Sequence, residues 1–124
     1  MFDLDNFKKI NDTYGHQAGD LVLCDFGKKL KEWFKRHTDI IARYGGEEFA
    51  LICFYNNREE FISYLEKFRE FIVQNPPSLE NVQLPYTFSA GVELELKENL
   101  EEMLKSADFK LYTAKSLGKN RIVS

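Results

Sequence analysis

Apolar residues recur at helical spacing in four segments of this chain. In the longest segment, Leu23, Phe26, Leu30 and Trp33 form one stripe, and lysines occupy the opposite face, which is the pattern of an amphipathic helix. A glycine or a proline pair follows three of the segments and marks where each helix ends. The predicted helices are a short one that ends near residue 14 and three longer ones over about 18–36, 58–74 and 100–117.

Between the helices lie short runs that are rich in β-branched and aromatic residues. Gly45 and Gly46 separate two of these runs and predict a hairpin, because a primed two-residue turn requires positive φ. The order of elements is βααββαβαβ, which predicts an α/β (α+β) two-layer sandwich with helices against an antiparallel-rich central sheet. The predicted strands are 39–44, 49–54, 86–95 and 121–123, preceded by the end of another at 1–3.

Composition narrows the class of protein. The chain has 124 residues, 44% of them hydrophobic and 11 of them phenylalanine, which indicates one packed domain over 1–124. A net charge of -3 argues against a surface that coats nucleic acid. The absence of a leader or a long apolar run predicts a soluble, cytoplasmic stretch without a membrane segment. Cys24 and Cys53 lie in apolar patterns and are interpreted as reduced core residues.

Acidic residues follow the two glycines of the predicted hairpin. Glu47 and Glu48 stand where the second strand leaves the turn, and Asp3 stands at the end of the first strand. Carboxylates beside glycines, which let a ligand approach the backbone, suit a site for a metal and a phosphate. A solvated polar turn explains the glutamates equally well, and helix capping explains Asp3 in isolation.

Three blocks in this order resemble the GGDEF domain of diguanylate cyclases, in its GGEEF variant. The blocks are residues 3–20, residues 42–49 and residues 111–121, and the resemblance extends from 3 to 123. It implies a nucleotide-cyclase or polymerase-palm-like fold and the synthesis of cyclic di-GMP from two GTP molecules. Family members carry more apolar residues before Asp3, so the chain is expected to be cut within its first strand.

The resemblance assigns metal ligands and catalytic acids. Asp3, Glu47 and the Leu4 carbonyl would bind Mg²⁺ or Mn²⁺, which prefer oxygen ligands. Glu48 is the family's other essential acid, and it would either help to deprotonate the attacking 3′-hydroxyl or bind a second metal. Asp5 is expected to cap the first helix or to support the ligands from behind.

The resemblance also assigns the contacts to GTP. Asn11 and Asp20 would read the guanine base, whereas in isolation they are interpreted as a turn residue and a helix-start acid. Lys115 and Lys119 would hold the triphosphate, and Lys8 is a third candidate. Two cations one turn apart at a helix end also complement the helix dipole. The family usually has arginine at the position of Lys119, so a weaker grip on phosphate is expected.

A second group of residues matches the family's inhibitory site for its product. Arg36 and Asp39 form an R-x-x-D sequence six residues before Gly45, and Lys67 stands where the family often has an arginine. Arginine can clamp phosphate and guanine edges, while aspartate accepts from guanine. A helix-ending arginine followed by a turn aspartate explains the same four residues.

Two alternative functions are therefore consistent with these residues. The first is a diguanylate cyclase whose partners are GTP, cyclic di-GMP and a second GGDEF domain, because one domain supplies only half of a site for two equivalent linkages. The rival is a domain with little turnover that binds GTP or cyclic di-GMP as a regulatory module. No binding of nucleic acid is expected from either.

Overall fold

The computed structural model describes residues 1–124, which form four α-helices and seven β-strands. In chain order they are β1 (Phe2–Leu4), α1 (Phe7–Tyr14), α2 (His16–Trp33), β2 (Ile40–Gly45), β3 (Glu48–Ile52), α3 (Arg58–Gln74), β4 (Ser78–Leu79), β5 (Val82–Gln83), β6 (Phe88–Gly91), α4 (Leu100–Ser116) and β7 (Ile122–Val123). No helix has both the length and the apolar composition needed to cross a membrane.

Five strands form one sheet in the order β2-β3-β1-β6-β7. The three-residue strand β1 lies at its centre and pairs antiparallel with both β3 and β6. The β2–β3 pair is also antiparallel, and only β6 and β7 run parallel. The predicted α+β class with an antiparallel-rich central sheet is therefore confirmed.

Phenylalanine side chains fill the space between one face of the sheet and helices α2 and α3. Phe2 and Phe88 from the sheet meet Phe26 of α2 and Phe68 of α3, and all four are buried. The rings of Phe2 and Phe88 meet edge to face with centroids 5.3 Å apart, a geometry that aromatic pairs prefer. This core holds β1 in place and thereby fixes the position of the acid that follows Phe2.

The last helix covers the opposite face of the sheet from α2 and α3. Helices therefore flank the sheet on both sides, and the layers number three instead of the two that were predicted. Helix α4 lies close against β6 at Gly91, where an added Cβ would stand 2.0 Å from the Ala107 carbonyl oxygen. A smaller apolar cluster around Ala107 and Leu111 fills this side. The close approach places the end of α4 beside the end of β1.

The glycine hairpin forms, but its turn is shifted by one residue from the prediction. Gly45 belongs to β2 and pairs with Glu48, and the two turn residues are Gly46 and Glu47. Only Gly46 has a positive φ, at 51°. A break in register between Arg43 and Gly45 absorbs the extra residue, as a β-bulge does.

Other local expectations were wrong in detail. Helix α2 ends at Trp33 rather than near 36. The β4–β5 hairpin was not predicted, because its turn contains no glycine: Glu80 and Asn81 take the positive φ angles instead. Cys24 is exposed on α2 instead of buried. Cys53 is half-buried, and burial raises the pKa of its thiol to about 11.

Candidate active site

The acids predicted from the motif meet where β1 pairs with β3. Asp3 is the direct partner of Glu48 in the β1–β3 register. Glu47 precedes Glu48 in the turn, and its carbonyl oxygen accepts a hydrogen bond of 3.2 Å from the Leu4 amide. The hairpin and the central strand therefore bring all four predicted residues together where β1 ends and β3 begins.

Burial and mutual repulsion alter the acidity of this group. Burial is the main reason that the pKa of Asp3 lies above its ordinary value, and the charges of Glu47 and Asp5 raise it further. The pKa of Glu48 is raised in the same way, by burial first and then by Asp3. Carboxylates that share a site in this way are stabilised by any cation that enters it.

Lys115, near the end of α4, supplies a cation to the same place. Its Nζ lies 2.8 Å from an oxygen of Asp3 and 2.7 Å from an oxygen of Asp5. The same ammonium donates a longer hydrogen bond of 3.5 Å to the Leu4 carbonyl. Burial alone would lower the pKa of Lys115, but the hydrogen bonds to Asp3 and Asp5 raise it, so the lysine is charged.

Asp5 is a buried hydrogen-bonding centre and does not cap α1, contrary to one of the two predictions for it. Its carboxylate accepts from Thr87 Oγ1 at 2.6 Å, Ser89 Oγ at 2.7 Å and the Asn120 amide at 2.9 Å, in addition to Lys115. Burial would raise the pKa of Asp5, but these hydrogen bonds hold it below its ordinary value. The other prediction, a support behind the ligands, fits this geometry.

The partners of Asp5 were not predicted, although the sequence carries a signal for two of them. Thr87 and Ser89 are polar residues at alternate positions of an apolar run, so their side chains lie on one face of the sheet. Asp3 and Asp5 alternate in the same way on the neighbouring strand and its extension. Two alternating polar pairs on segments that become neighbours indicate a buried polar network.

Lys119 lies beyond the last helix rather than within it. Helix α4 ends at Ser116, and Lys119 has a left-handed conformation with a φ of 64° in the following turn. Its Nζ donates a 2.8 Å hydrogen bond to Asn6 Oδ1. Interaction with the helix dipole therefore does not explain Lys119, and the expected spacing of one helical turn from Lys115 is wrong.

The two residues predicted to read guanine lie on adjacent helices. The Asn11 side chain of α1 packs against Gly19 of α2, where an added Cβ would stand 1.9 Å from Asn11 Oδ1. Asp20 follows Gly19 and is exposed, and neither Asn11 nor Asp20 has a side-chain hydrogen bond or an ion pair within the chain. Lys8, in the first turn of α1, is exposed without a protein partner. These groups are free to contact a ligand.

Arg36 and Asp39 form a turn at a separate place, between α2 and β2. The Arg36 amide donates to Asp39 Oδ2 at 3.1 Å, and its guanidinium donates to the Phe54 carbonyl at 2.6 Å. Arg36 Nε lies 3.4 Å from Asp39 Oδ1, yet this buried oxygen accepts no hydrogen bond. Both residues line an open pocket whose walls include Tyr64.

Lys67 is not part of that pocket. It is exposed one turn after Tyr64 on α3 and lines an adjacent depression, which shares Glu60 and Tyr64 with the first pocket. The structure therefore brings Arg36 and Asp39 together and leaves Lys67 at the next position along the surface.

The oxygen atoms around Asp3 suit a hard divalent cation. Asp3 and Leu4 provide a carboxylate and a carbonyl at consecutive positions, and Glu47 is held beside them by its backbone. No group of three or more histidine, cysteine, aspartate or glutamate side chains converges on one point in the chain. A cation here would complete its shell with the Leu4 carbonyl and with oxygens of a substrate, as magnesium does in nucleotide sites.

The chain belongs to the GGDEF family. The family model described as diguanylate cyclase, GGDEF domain, matches residues 1–121. Diguanylate cyclase A of Treponema denticola is 36% identical over 125 residues, which cover 98% of this chain and 33% of that protein. This chain therefore spans about a third of the length of that relative.

Solved structures show the same fold. The GGDEF domain of DgcB from Caulobacter crescentus, in complex with c-di-GMP, has a TM-score of 0.87 at 31% identity and matches 98% of this chain and 73% of that one. The active GGEEF domain of a diguanylate cyclase from Vibrio cholerae has a TM-score of 0.84 at 31% identity, over 98% of this chain and 78% of that one. The expected GGDEF fold is thereby confirmed.

Proposed function

We propose that this domain is a diguanylate cyclase that condenses two GTP molecules into cyclic di-GMP and releases two pyrophosphates. The observation that carries the proposal is the pairing of Asp3 with Glu48 across β1 and β3, with Glu47 held beside them by its backbone and Lys115 against Asp3. Membership of a family of diguanylate cyclases supports it. Because GTP is a cytoplasmic nucleotide, the domain would act in the cytoplasm.

Asp3, Glu47 and the Leu4 carbonyl would hold Mg²⁺ or Mn²⁺. The ion would neutralise charge on the phosphate oxygens, which is its usual contribution to phosphoryl transfer. Lys115, Lys119 and Lys8 would carry the remaining charge of the triphosphate, and Lys119 would do so with a single ammonium instead of an arginine fork.

The protein's own groups would orient the nucleotide and activate its hydroxyl. Asn11 and Asp20 would hold the guanine base through hydrogen bonds to its edge, because an amide offers both a donor and an acceptor and a carboxylate accepts from N1–H and N2–H₂. Glu48, on the strand that pairs with β1, would accept the proton of the 3′-hydroxyl as it attacks the α-phosphate of the other GTP.

A second copy of the domain would supply the other half of the reaction. Each linkage of cyclic di-GMP joins the 3′-oxygen of one nucleotide to the α-phosphate of the other, and a single domain has one set of GTP contacts. Two domains that face each other antiparallel would form both linkages in equivalent environments.

The direct test is turnover of GTP by the purified domain with Mg²⁺, with cyclic di-GMP and pyrophosphate measured by chromatography. We expect two pyrophosphates for each cyclic di-GMP and a rate that rises with more than the first power of protein concentration at low concentration. ATP with Mg²⁺ serves as the substrate control. Binding of GTP without any product at high protein concentration would contradict the proposal.

A binding role is the second candidate, and the pocket of Arg36 and Asp39 favours it. A buried oxygen of Asp39 without a hydrogen bond is able to accept from a guanine N–H, and the Arg36 side chain is 59% exposed and able to reach a phosphate. We propose that cyclic di-GMP binds there, with Lys67 at the margin. In a cyclase this site would act in product inhibition, whereas in an inactive domain it would be the main function.

A further inference from the structure

One cation already lies where the metal is proposed to bind. The Lys115 ammonium contacts Asp3 at 2.8 Å and the Leu4 carbonyl at 3.5 Å, which are two of the three proposed metal ligands. Its third contact, with Asp5 at 2.7 Å, lies outside that ligand set. A lysine and a divalent ion therefore compete for the same two oxygen atoms.

No other lysine is placed to neutralise these acids. Lys119 donates to Asn6, an uncharged amide, and Lys8 is exposed without a partner. When it is ionised, Asp3 repels the charges of Asp5, Glu47 and Glu48, because like charges repel strongly in a partly buried place. Lys115 is therefore the one lysine that neutralises Asp3.

The two carboxylates that contact Lys115, those of Asp3 and Asp5, differ in how firmly the rest of the protein holds them. Asp5 is fixed by hydrogen bonds from Thr87, Ser89 and Asn120, so it cannot follow a moving ligand. Asp3 has no side-chain partner other than Lys115. The long flexible stem of a lysine allows its ammonium to turn about one contact while it leaves another.

We propose that Lys115 is a placeholder for the divalent ion: before metal and nucleotide bind, its ammonium neutralises Asp3. When they bind, the ammonium moves to the triphosphate while it keeps its contact with Asp5. This inference rests on the proposed function. It implies that the metal alone binds weakly, because it must displace a charged lysine. It also implies that metal and nucleotide favour each other's binding, since the nucleotide gives the lysine a new partner.

The first experiment measures binding of Mn²⁺ alone by electron paramagnetic resonance, without nucleotide. Lys115→Met removes the competing charge and keeps most of the side-chain volume, so the affinity for Mn²⁺ is expected to rise about tenfold or more. Lys119→Met removes a nearby lysine that contacts no carboxylate, and its affinity is expected to stay near that of the wild type. Equal or weaker Mn²⁺ binding by Lys115→Met, or an equal gain in Lys119→Met, would overturn the placeholder role.

The second experiment uses the wild-type protein, so it stands even if Lys115→Met does not fold. The ammonium signal of Lys115 is followed by ¹H–¹⁵N NMR and identified by its loss in Lys115→Arg. We expect it to shift when Mg²⁺ and a non-hydrolysable GTP analogue are added together. A signal that stays unchanged when the two saturate the site would show that the lysine never leaves Asp3.

The two proposals fail in different ways. A wild-type domain that makes cyclic di-GMP while Lys115→Met gains no affinity for Mn²⁺ would remove only the placeholder. A wild-type domain that binds no Mn²⁺ even with nucleotide would remove the proposed function, and the placeholder with it.

Discussion

Asp3 and Glu48 are direct partners across the antiparallel β1–β3 pair. Their side chains are brought together by the register of two strands, and the phenylalanine core fixes that register by burying Phe2 and Phe49 at the neighbouring pair. A shift of one residue would turn these acids to the other face of the sheet. The chemistry of the site therefore depends on the packing of its hydrophobic core.

Glu47→Gln is expected to reduce turnover of GTP by several decades. The change keeps the shape of the side chain and removes a proposed anionic ligand, and stabilisation of charge by a bound metal is worth several kcal/mol. The rate of cyclic di-GMP formation at saturating GTP and Mg²⁺ measures the effect, and Mn²⁺ binding in the presence of a GTP analogue measures the loss of the ligand.

Glu101→Gln is the matched control for that change. Glu101 is an exposed acid at the start of α4 and lines a pocket together with Glu48, but it is not a proposed ligand. Its replacement should leave both readouts near the wild type. Undiminished turnover in Glu47→Gln would reject the assignment of Glu47 to the metal.

Gly19→Ala is expected to weaken the binding of GTP by roughly tenfold, the cost of one misplaced hydrogen bond. The new Cβ would stand 1.9 Å from Asn11 Oδ1, so the amide must move away from its present position. Thermal stability should fall modestly, because the new Cβ would also stand 2.8 Å from Asn11 Cγ and 3.2 Å from Phe7 Cζ, so both side chains must move. The better helix propensity of alanine offsets part of this cost. Calorimetry with a GTP analogue measures the affinity.

Gly27→Ala on the same helix is the control for Gly19→Ala. Its added Cβ would meet only Phe49 at 3.8 Å, an ordinary contact, so GTP affinity should not change. The wild type should also bind ATP less tightly than GTP, because adenine lacks the N1–H and N2–H₂ donors that Asp20 is proposed to contact on guanine. Equal affinity for ATP and GTP would contradict the guanine roles of Asn11 and Asp20.

Local patterns predicted the elements of the fold well where the sequence itself contains the cause. The bounds of α3 at Arg58 and Gln74 matched the prediction. Asn57 caps the first turn of this helix, and Pro76 prevents the helix from continuing beyond its last turn. The hairpin was predicted from Gly45 and Gly46, but local sequence does not show which glycine takes the positive φ. That choice depends on the register with the neighbouring strand.

The least predictable features were contacts between distant parts of the chain. Lys115 meets Asp3 and Asp5 only because α4 packs against Gly91 and ends beside β1, and no local pattern encodes that placement. For the same reason Asp5 resembled a helix cap in the sequence, whereas its partners lie more than 80 residues away. The resemblance to a known family supplied the site residues, and the structure supplied the network that holds them.

Glu93→Gln is expected to lower the free energy of unfolding at pH 7 by about 1–2 kcal/mol, since solvent screens part of the interaction. Burial would raise the pKa of Glu93, but hydrogen bonds from Lys110 and Ser106 hold it at about 2. A depressed folded-state pKa gives stability that is present above the unfolded value of about 4.5 and is lost as the pH falls toward 2. The difference in the free energy of unfolding between wild type and variant should therefore become smaller as the pH falls over that interval.

Chemical denaturation at a series of pH values measures this gap. Glu95→Gln is the control, because Glu95 is exposed and its contact with Arg58 is long, at 3.8 Å. Its effect should be small and nearly independent of pH. A gap for Glu93→Gln that stays constant between pH 5 and pH 2 would show that the carboxylate charge does not stabilise the junction of α4 with the segment after β6.

Arg36→Ala is expected to relieve inhibition by cyclic di-GMP while the initial rate on GTP stays close to that of the wild type. Arg36 lies between α2 and β2, away from the acids at the end of β1 and the start of β3, so a ligand there would leave the proposed catalytic half-site open. Inhibition would arise because cyclic di-GMP holds domains in an orientation that keeps two GTP sites apart, which requires no distortion of either site. Full progress curves should then stay linear for longer in the variant.

Lys31→Ala is the control for Arg36→Ala, because it removes an exposed charge from the same region without touching the pocket of Arg36 and Asp39. Melting curves of both variants check the fold, since Arg36 also donates to the Phe54 carbonyl.

Lys67→Ala tests how much the residue beside the pocket contributes. Lys67 lines only the adjacent depression, so its loss should relieve inhibition less than the loss of Arg36. Equal product inhibition in the wild type and Arg36→Ala would show that Arg36 and Asp39 only close the turn between α2 and β2.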